Sequence, residues 1–352
     1  MKRLLIADDS ALVRKQISEI VAELGFEIDT ARNGAEAVEK ATASQYDVIT
    51  MDINMPIMDG VTAVRKIMEV RPTPILMISS LTTESAKITM EALDAGAVDY
   101  ISKPGTMNVG RDVNSEDIVQ KVKLLSRIPP RRLKTVVRRS VVRERPVSMR
   151  DAQRAENKSN ADVTKILLIG ASTGGPGLIE QICSALPATF GYAVCIVQHM
   201  PEQFTAAFAT RLDKNSALPV VESRDHMELY PGNIYLARGG VHMTFAKKVT
   251  GRVVIREEKT KGGRFFQPSV DEMFLSALKV FEADQITGVL LTGIGDDGAE
   301  GMVKVKKEGG FTIGESEETA TVYGMPKEAY DRGGVSQQLS FPKIVRALQT
   351  LR

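Results

Sequence analysis

From end to end the sequence alternates short apolar runs with stretches of helical periodicity, and this pattern limits its fold more than any other feature. The first runs are RLLIAD, FEIDTA, YDVITMD, PILMIS and VDYIS. Between them lie stretches such as SALVRKQISEIVAELG, with Ser10 as candidate N-cap and Gly25 as candidate stop. The pattern resumes at Lys165 with KILLIG, a turn, and a helix expected from about Pro176 to Leu186. Strand YAVCIVQH and helix PEQFTAAFATRLDKN follow, then the extended segments GNIYLARGGVHMTFAK and GRVVIREE. SVDEMFLSALKVFE reads as helix, and ITGVLLTGIGDDGAEGM as strand, glycine loop and helix. Such alternation predicts α/β architecture throughout, with ligand sites outside the carboxyl ends of parallel strands.

At 352 residues the chain is long enough for two domains, and a hydrophobic fraction of 43% supplies two cores. Cys183 and Cys195 have neither disulfide-framework nor metal-site spacing, which fits a reducing cytoplasm. Asp8 and Asp9 cut the first apolar run far short of a signal peptide, and no apolar stretch is long enough to span a bilayer. The expectation is a soluble cytoplasmic protein without direct membrane insertion. From Ser126 to Val163, 11 Lys and Arg stand against 4 Asp and Glu, a local charge of +7 in a chain whose net charge is +2. That segment has three prolines, no glycine and no sustained apolar periodicity, and it reads as a linker. No aromatic residue is interleaved with its arginines, which argues against nucleic-acid binding.

The carboxyl ends of the first five runs gather a distinctive set. The first ends in Asp8 and Asp9, the third in Asp52, the fourth in Ser79 and Ser80, and the fifth runs to Lys103. Three carboxylates brought together repel one another unless a cation sits among them. An oxygen-only set of this kind suits Mg²⁺, which keeps several waters and takes phosphate oxygens. Ser79 is then placed to hydrogen-bond a phosphoryl oxygen and Lys103 to neutralise another. A single aspartate at a strand end is more often a cap or turn former; the whole set on separate strand ends is not.

With the motifs ADDSALVR, MDINMPIMDG, MISS and ISKP, residues 1–125 resemble the receiver domain of two-component response regulators, a flavodoxin-like, doubly wound parallel sheet. The resemblance implies that Asp52 accepts a phosphoryl group from a histidine kinase. It implies Mg²⁺ held by Asp8, Asp9, Asp52 and the Asn54 carbonyl, phosphoryl contacts from Ser79 and Lys103, a switch movement of Tyr100, and a cis Lys103–Pro104 bond. An aspartate is a competent nucleophile toward phosphorus, and the remaining catalysis is positioning and charge neutralisation.

In the second half, Gly170-Ala-Ser172-Thr-Gly174 fits both a nucleophile elbow and a phosphate-cradling turn. A dinucleotide site wants G-x-G-x-x-G and an acidic residue ending the next strand; the glycines here are in the wrong order, and that strand ends in Gln198-His199. No lysine follows the turn as a Walker cradle requires. A serine nucleophile needs a base, and His199 ends the very next strand; if the sheet is parallel there, it emerges on the same edge as Ser172. His226 lies in a polar loop and reads as surface decoration; His242 lies in an expected hairpin and reads as structural. A third group must orient the imidazole, and Asp296 and Asp297 follow a later strand with nothing in the spacing to choose between them.

The motifs IGASTGG, VQHMP, GGVHM, QPSVDEMF and VLLTGIGDDGAEGM make residues 164–352 similar to the catalytic domain of chemotaxis protein-glutamate methylesterases, a Rossmann-like serine hydrolase. The resemblance implies Ser172 as nucleophile, His199 as base, Asp297 as the orienting aspartate and the Ile294 amide in the oxyanion hole, with no cofactor in this domain. Asp296 adds negative charge beside the triad, and Arg238 and Val241 stand where this family commonly has proline and a large residue. The whole chain then reads as receiver (1–125), basic linker (126–163) and esterase (164–352). Its expected activity is phosphorylation-regulated demethylation of glutamate methyl esters on chemoreceptor cytoplasmic helices, with glutamine deamidation as a possible second activity. The alternative is a response regulator with a nucleotide-binding or nucleic-acid-binding output.

Overall fold

The computed structural model describes residues 1–80, 82–104, 113–129, 133, 162–259 and 266–351. They belong to two compact units, residues 1–141 and 142–352. Most of the basic segment 126–163 lies outside the described residues.

In the first unit β1 (Arg3–Ala7), β2 (Glu27–Ala31), β3 (Val48–Asp52), β4 (Ile75–Ser79) and β5 (Asp99–Ser102) form one sheet. The order is β2-β1-β3-β4-β5 and every pairing is parallel. β3 and β4 are buried along their whole length, which is why YDVITMD and PILMIS read as continuous apolar runs rather than alternating ones. β1 pairs with β2 on one side and β3 on the other, so the strand order reverses at β1 and a crevice opens there at the carboxyl ends.

Ser10 does cap the first helix, accepting from the Val13 amide at 3.4 Å. That helix ends at Ile20, earlier than expected; a 3₁₀ turn at Ala22–Leu24 leads to Gly25, which takes the left-handed conformation at φ 66°. The Lys103–Pro104 bond, expected cis, is trans; the cis X–Pro bond among the described residues is Gln267–Pro268.

In the second unit the large sheet holds β6 (Ile166–Ala171), β7 (Ala193–Gln198), β8 (Val220–Glu222), β9 (Ile234–Leu236), β12 (Ile286–Leu290), β13 (Phe311–Glu315) and β14 (Gln337–Leu339). Its order is β14-β13-β12-β6-β7-β9-β8, all parallel. β10 (His242–Lys247) and β11 (Val253–Glu258) form a separate antiparallel hairpin. GNIYLARGGVHMTFAK is therefore two strands in different sheets, parted by a turn whose Gly240 has φ 78°. The helix in SVDEMFLSALKVFE covers only Val270–Ala277. It buries Val270, Met273 and Phe274 in one core with Leu168, Leu290 and Met302, each such side chain contributing about 1.5–3 kcal/mol. β6 is the first strand of this unit; the next strand pairs on one side of it and β12 on the other, a second switch point.

Candidate functional sites at two sheet edges

In the first unit the register sets Ala7 opposite Met51, so Asp8 and Asp52 leave the sheet side by side. Ligand oxygens of Asp8, Asp9 and Asp52 lie within 4.8 Å of one another; Asp8 and Asp52 are buried and Asp9 is exposed. Lys103, just past β5, places Nζ 3.1 Å from Asp8 Oδ2 and 2.9 Å from Asp52 Oδ2. Burial raises the Asp52 carboxyl to about 6; the Asp8 charge pushes the same way and Lys103 opposes it. Burial works against the Lys103 ammonium, but its contacts with Asp52 and Asp8 outweigh it and raise its pKa. Three carboxylates and one ammonium leave excess negative charge in an oxygen-only pocket, and that donor set fits a hard divalent cation.

Asn54 is exposed just beyond β3. Ser79 is buried at the end of β4, donating to the Ser80 carbonyl and accepting from Thr89 Oγ1, both at 3.1 Å. Tyr100 lies buried within β5 rather than at the edge.

In the second unit β6 and β7 pair in parallel with Ala171 opposite Gln198, so Ser172 and His199 are the next residues on one edge. The chain past β12 joins them: the Ser172 amide donates to the Thr292 carbonyl at 3.0 Å. His199 Nε2 is 2.8 Å from Asp297 Oδ2. His199 Nδ1 is buried without a hydrogen-bond partner among the described residues and is the nitrogen left for the Ser172 side. Phe266 stacks on the imidazole, centroids 4.1 Å apart and planes 9° from parallel.

Asp297 accepts three further hydrogen bonds. Ser269 Oγ (2.7 Å) and the Asp271 amide (3.0 Å) donate to Oδ1, and the Val270 amide (2.7 Å) donates to Oδ2. These donors come from the start of helix Val270–Ala277, whose positive end faces the carboxylate. Burial pushes the Asp297 carboxyl upward, but the bond from His199, the imidazole charge and the two amides outweigh it and hold it at about 2.

Asp296, by contrast, points outward, 2.7 Å from Arg332 Nη2. Its added charge is thus paired rather than turned on the imidazole. The difference between the two aspartates is tertiary and is absent from their spacing.

The Ile294 amide makes no hydrogen bond among the described residues and remains available as a donor. Gly293 allows the close approach: a Cβ there would lie 2.9 Å from Ser172 Cβ and collide with Met325 Sδ.

His226 is exposed beside Asp225, 3.3 Å away. His242 is buried in the hairpin and accepts from the Ser269 amide at 3.1 Å. Arg238 is tied to Glu257 at 2.8 Å and Glu202 at 3.7 Å, and Val241 is buried, so neither is a free rim contact. Cys183 and Cys195 are buried and burial pushes both thiols up, which leaves no competing thiolate. Reading the sequence alone missed Phe266 and the amide donors of Val270 and Asp271; the only local signal was a serine preceding an apolar helical pattern in QPSVDEMF.

The geometry agrees with what the chain resembles in known proteins. Residues 167–348 match the CheB methylesterase family and residues 4–112 the response regulator receiver domain. A protein from Carboxydothermus hydrogenoformans named protein-glutamate methylesterase/protein-glutamine glutaminase 2 is 48% identical over 347 residues, 97% of this chain and 96% of that protein. A protein-glutamate methylesterase/protein-glutamine glutaminase from Caldanaerobacter subterraneus is 42% identical over 352 residues, 94% and 91% of the two chains. Among solved structures, the CheB methylesterase catalytic domain of Thermotoga maritima aligns at 38% identity and a TM-score of 0.51, covering 53% of this chain and 98% of that one.

Proposed function

Because the chain belongs to the CheB methylesterase family and carries a response regulator receiver ahead of the catalytic domain, we propose that Ser172, His199 and Asp297 hydrolyse glutamate γ-methyl esters on chemoreceptor cytoplasmic helices. The observation that carries this reading is the 2.8 Å contact between His199 and Asp297 at the edge where Ser172 also emerges.

Ser172 Oγ attacks the ester carbonyl while His199 Nδ1 takes its proton. Asp297 holds the imidazole by Nε2 and stabilises the imidazolium. The Ile294 amide donates to the tetrahedral oxyanion, a contact of a kind worth about 3 kcal/mol. Collapse expels the methoxy group, which leaves as methanol with the proton from His199. Water, deprotonated by His199, then attacks the acyl carbon; the bond to Ser172 Oγ breaks, His199 returns the proton to that oxygen, and the receptor side chain leaves as glutamate. The same steps with ammonia as leaving group deamidate glutamine, the second activity in the relatives' names. The family relationship supports a hydrolase and lends nothing to a nucleotide- or nucleic-acid-binding output.

In the receiver, Asp52 accepts the phosphoryl group of a chemotaxis histidine kinase. Asp8, Asp9, Asp52 and the Asn54 carbonyl would hold Mg²⁺, which supplies charge neutralisation to the phosphoryl oxygens. Lys103 neutralises a further oxygen, Ser79 turns its hydroxyl from the Ser80 carbonyl toward the phosphate, and Tyr100 follows. No described helix is long and apolar enough to cross a membrane; with both cysteines free, a cytoplasmic setting fits.

Methanol release from methylated receptor, with and without a small acyl phosphate, tests the reading. The phosphodonor should raise the rate; no methanol in either condition would remove the assignment. Asp52→Asn should hold the rate at its basal value with or without phosphodonor. A variant still stimulated by acyl phosphate would show that the acceptor lies elsewhere.

A further inference from the structure

Gln198 ends β7, directly before His199, and is 2% exposed. Its Nε2 donates to the Ser172 carbonyl at 2.9 Å and to the His199 carbonyl at 3.2 Å. No step of the reaction above uses it, yet the two carbonyls it holds belong to the two residues whose side chains must meet. We infer that Gln198 is a positioning residue for the esterase reaction: its amide ties the turn after β6 to the turn after β7 and fixes Ser172 Oγ relative to His199 Nδ1. The inference rests on the Ser172–His199 assignment proposed above.

Three features of the site support it. The strand ladder reaches only as far as the His199 amide on the Ala171 carbonyl, 3.0 Å, and the Gln198 side chain adds a tie one residue further along β6. Space has been left for that tie: a Cβ at Gly175 would collide with Gln198 Oε1 and with the Ala171 Cβ, so the last glycine of GASTGG leaves room for the amide beside the end of β6. The amide is also held at a cost. Gln198 Oε1 is buried without a hydrogen-bond partner among the described residues. Buried acceptors are normally satisfied, and an apolar side chain here would avoid the loss. The two carbonyls dictate the orientation, because an amide turned the other way would set its oxygen against both.

The test reads the nucleophile without receptor. In the full chain, the second-order rate of fluorophosphonate labelling is measured for wild type, Gln198→Met and Gln198→Glu. All are held well below their melting temperatures by circular dichroism, with Ser172→Ala as reference. Gln198→Met keeps length without a donor. Gln198→Glu keeps shape but turns an acceptor toward both carbonyls. A misplacement of about 1 Å costs on the order of 100-fold, so each folded variant should label about 100-fold more slowly. On methylated receptor the loss should fall in kcat with KM unchanged. Folded variants that label at the wild-type rate, while Ser172→Ala does not label, overturn the inference and leave the triad standing. Labelling that persists in Ser172→Ala overturns the triad assignment itself.

Discussion

Ser172→Ala should lower kcat for methanol release by roughly 10⁵- to 10⁶-fold, as removal of a triad serine does elsewhere, while leaving the fold intact. The hydroxyl is the only side-chain group in the proposed mechanism that bonds to the acyl carbon, so no neighbouring side chain replaces it. Both cysteines are buried with their thiols pushed up, and the other two histidines stand apart, His226 exposed beside Asp225 and His242 turned to the Ser269 amide. The structural cost is small. No side-chain hydrogen bond of Ser172 is lost among the described residues, and alanine keeps the Cβ that packs against Gly293. The measurement is single-turnover methanol release alongside a melting curve. A folded variant that retains even a hundredth of the rate rules out Ser172 as nucleophile.

Asp297→Asn should cost roughly 10³- to 10⁴-fold in kcat, and it should also destabilise the protein. An aspartate in this role fixes the tautomer and steadies the imidazolium; asparagine does neither. Asp297 also accepts from Ser269 Oγ and the Val270 and Asp271 amides. An asparagine NH₂ would face donors, and each buried donor left unpaired costs about 1–3 kcal/mol.

The pH dependence has a definite sign. The folded carboxyl is depressed from 3.8 to about 2. Its contribution of roughly 2 kcal/mol is therefore complete above about pH 4 and lost as pH falls from there to about 2. The stability gap between wild type and Asp297→Asn should be widest near neutral pH and narrow across that window. Asp296→Asn should change kcat less than about threefold, because its partner Arg332 is a half-exposed surface cation and such pairs contribute about 0–1 kcal/mol. The opposite ranking of the two variants would mean that the orienting carboxylate is Asp296.

What the sequence determined by itself is what depends on local pattern. Apolar runs buried on both faces gave β1, β3, β4, β6, β7 and β12, and Asp8, Asp52, Ser79, Ser172 and His199 stand at or next to the ends of those runs. Short or glycine-interrupted strands escaped: Val220–Glu222, Phe311–Glu315 and Gln337–Leu339 are too brief or too broken to carry a period. They form only because a neighbouring strand offers a ladder.

The choice among equal candidates was tertiary. Nothing in LLTGIGDDG separates Asp296 from Asp297; the register of β6, β7 and β12 and the start of helix Val270–Ala277 bring four donors to one of them and leave the other to Arg332. Sequence pattern reports which side chains end a strand. Which way a side chain turns from that end is fixed by partners far away in the chain, at distances no local window spans.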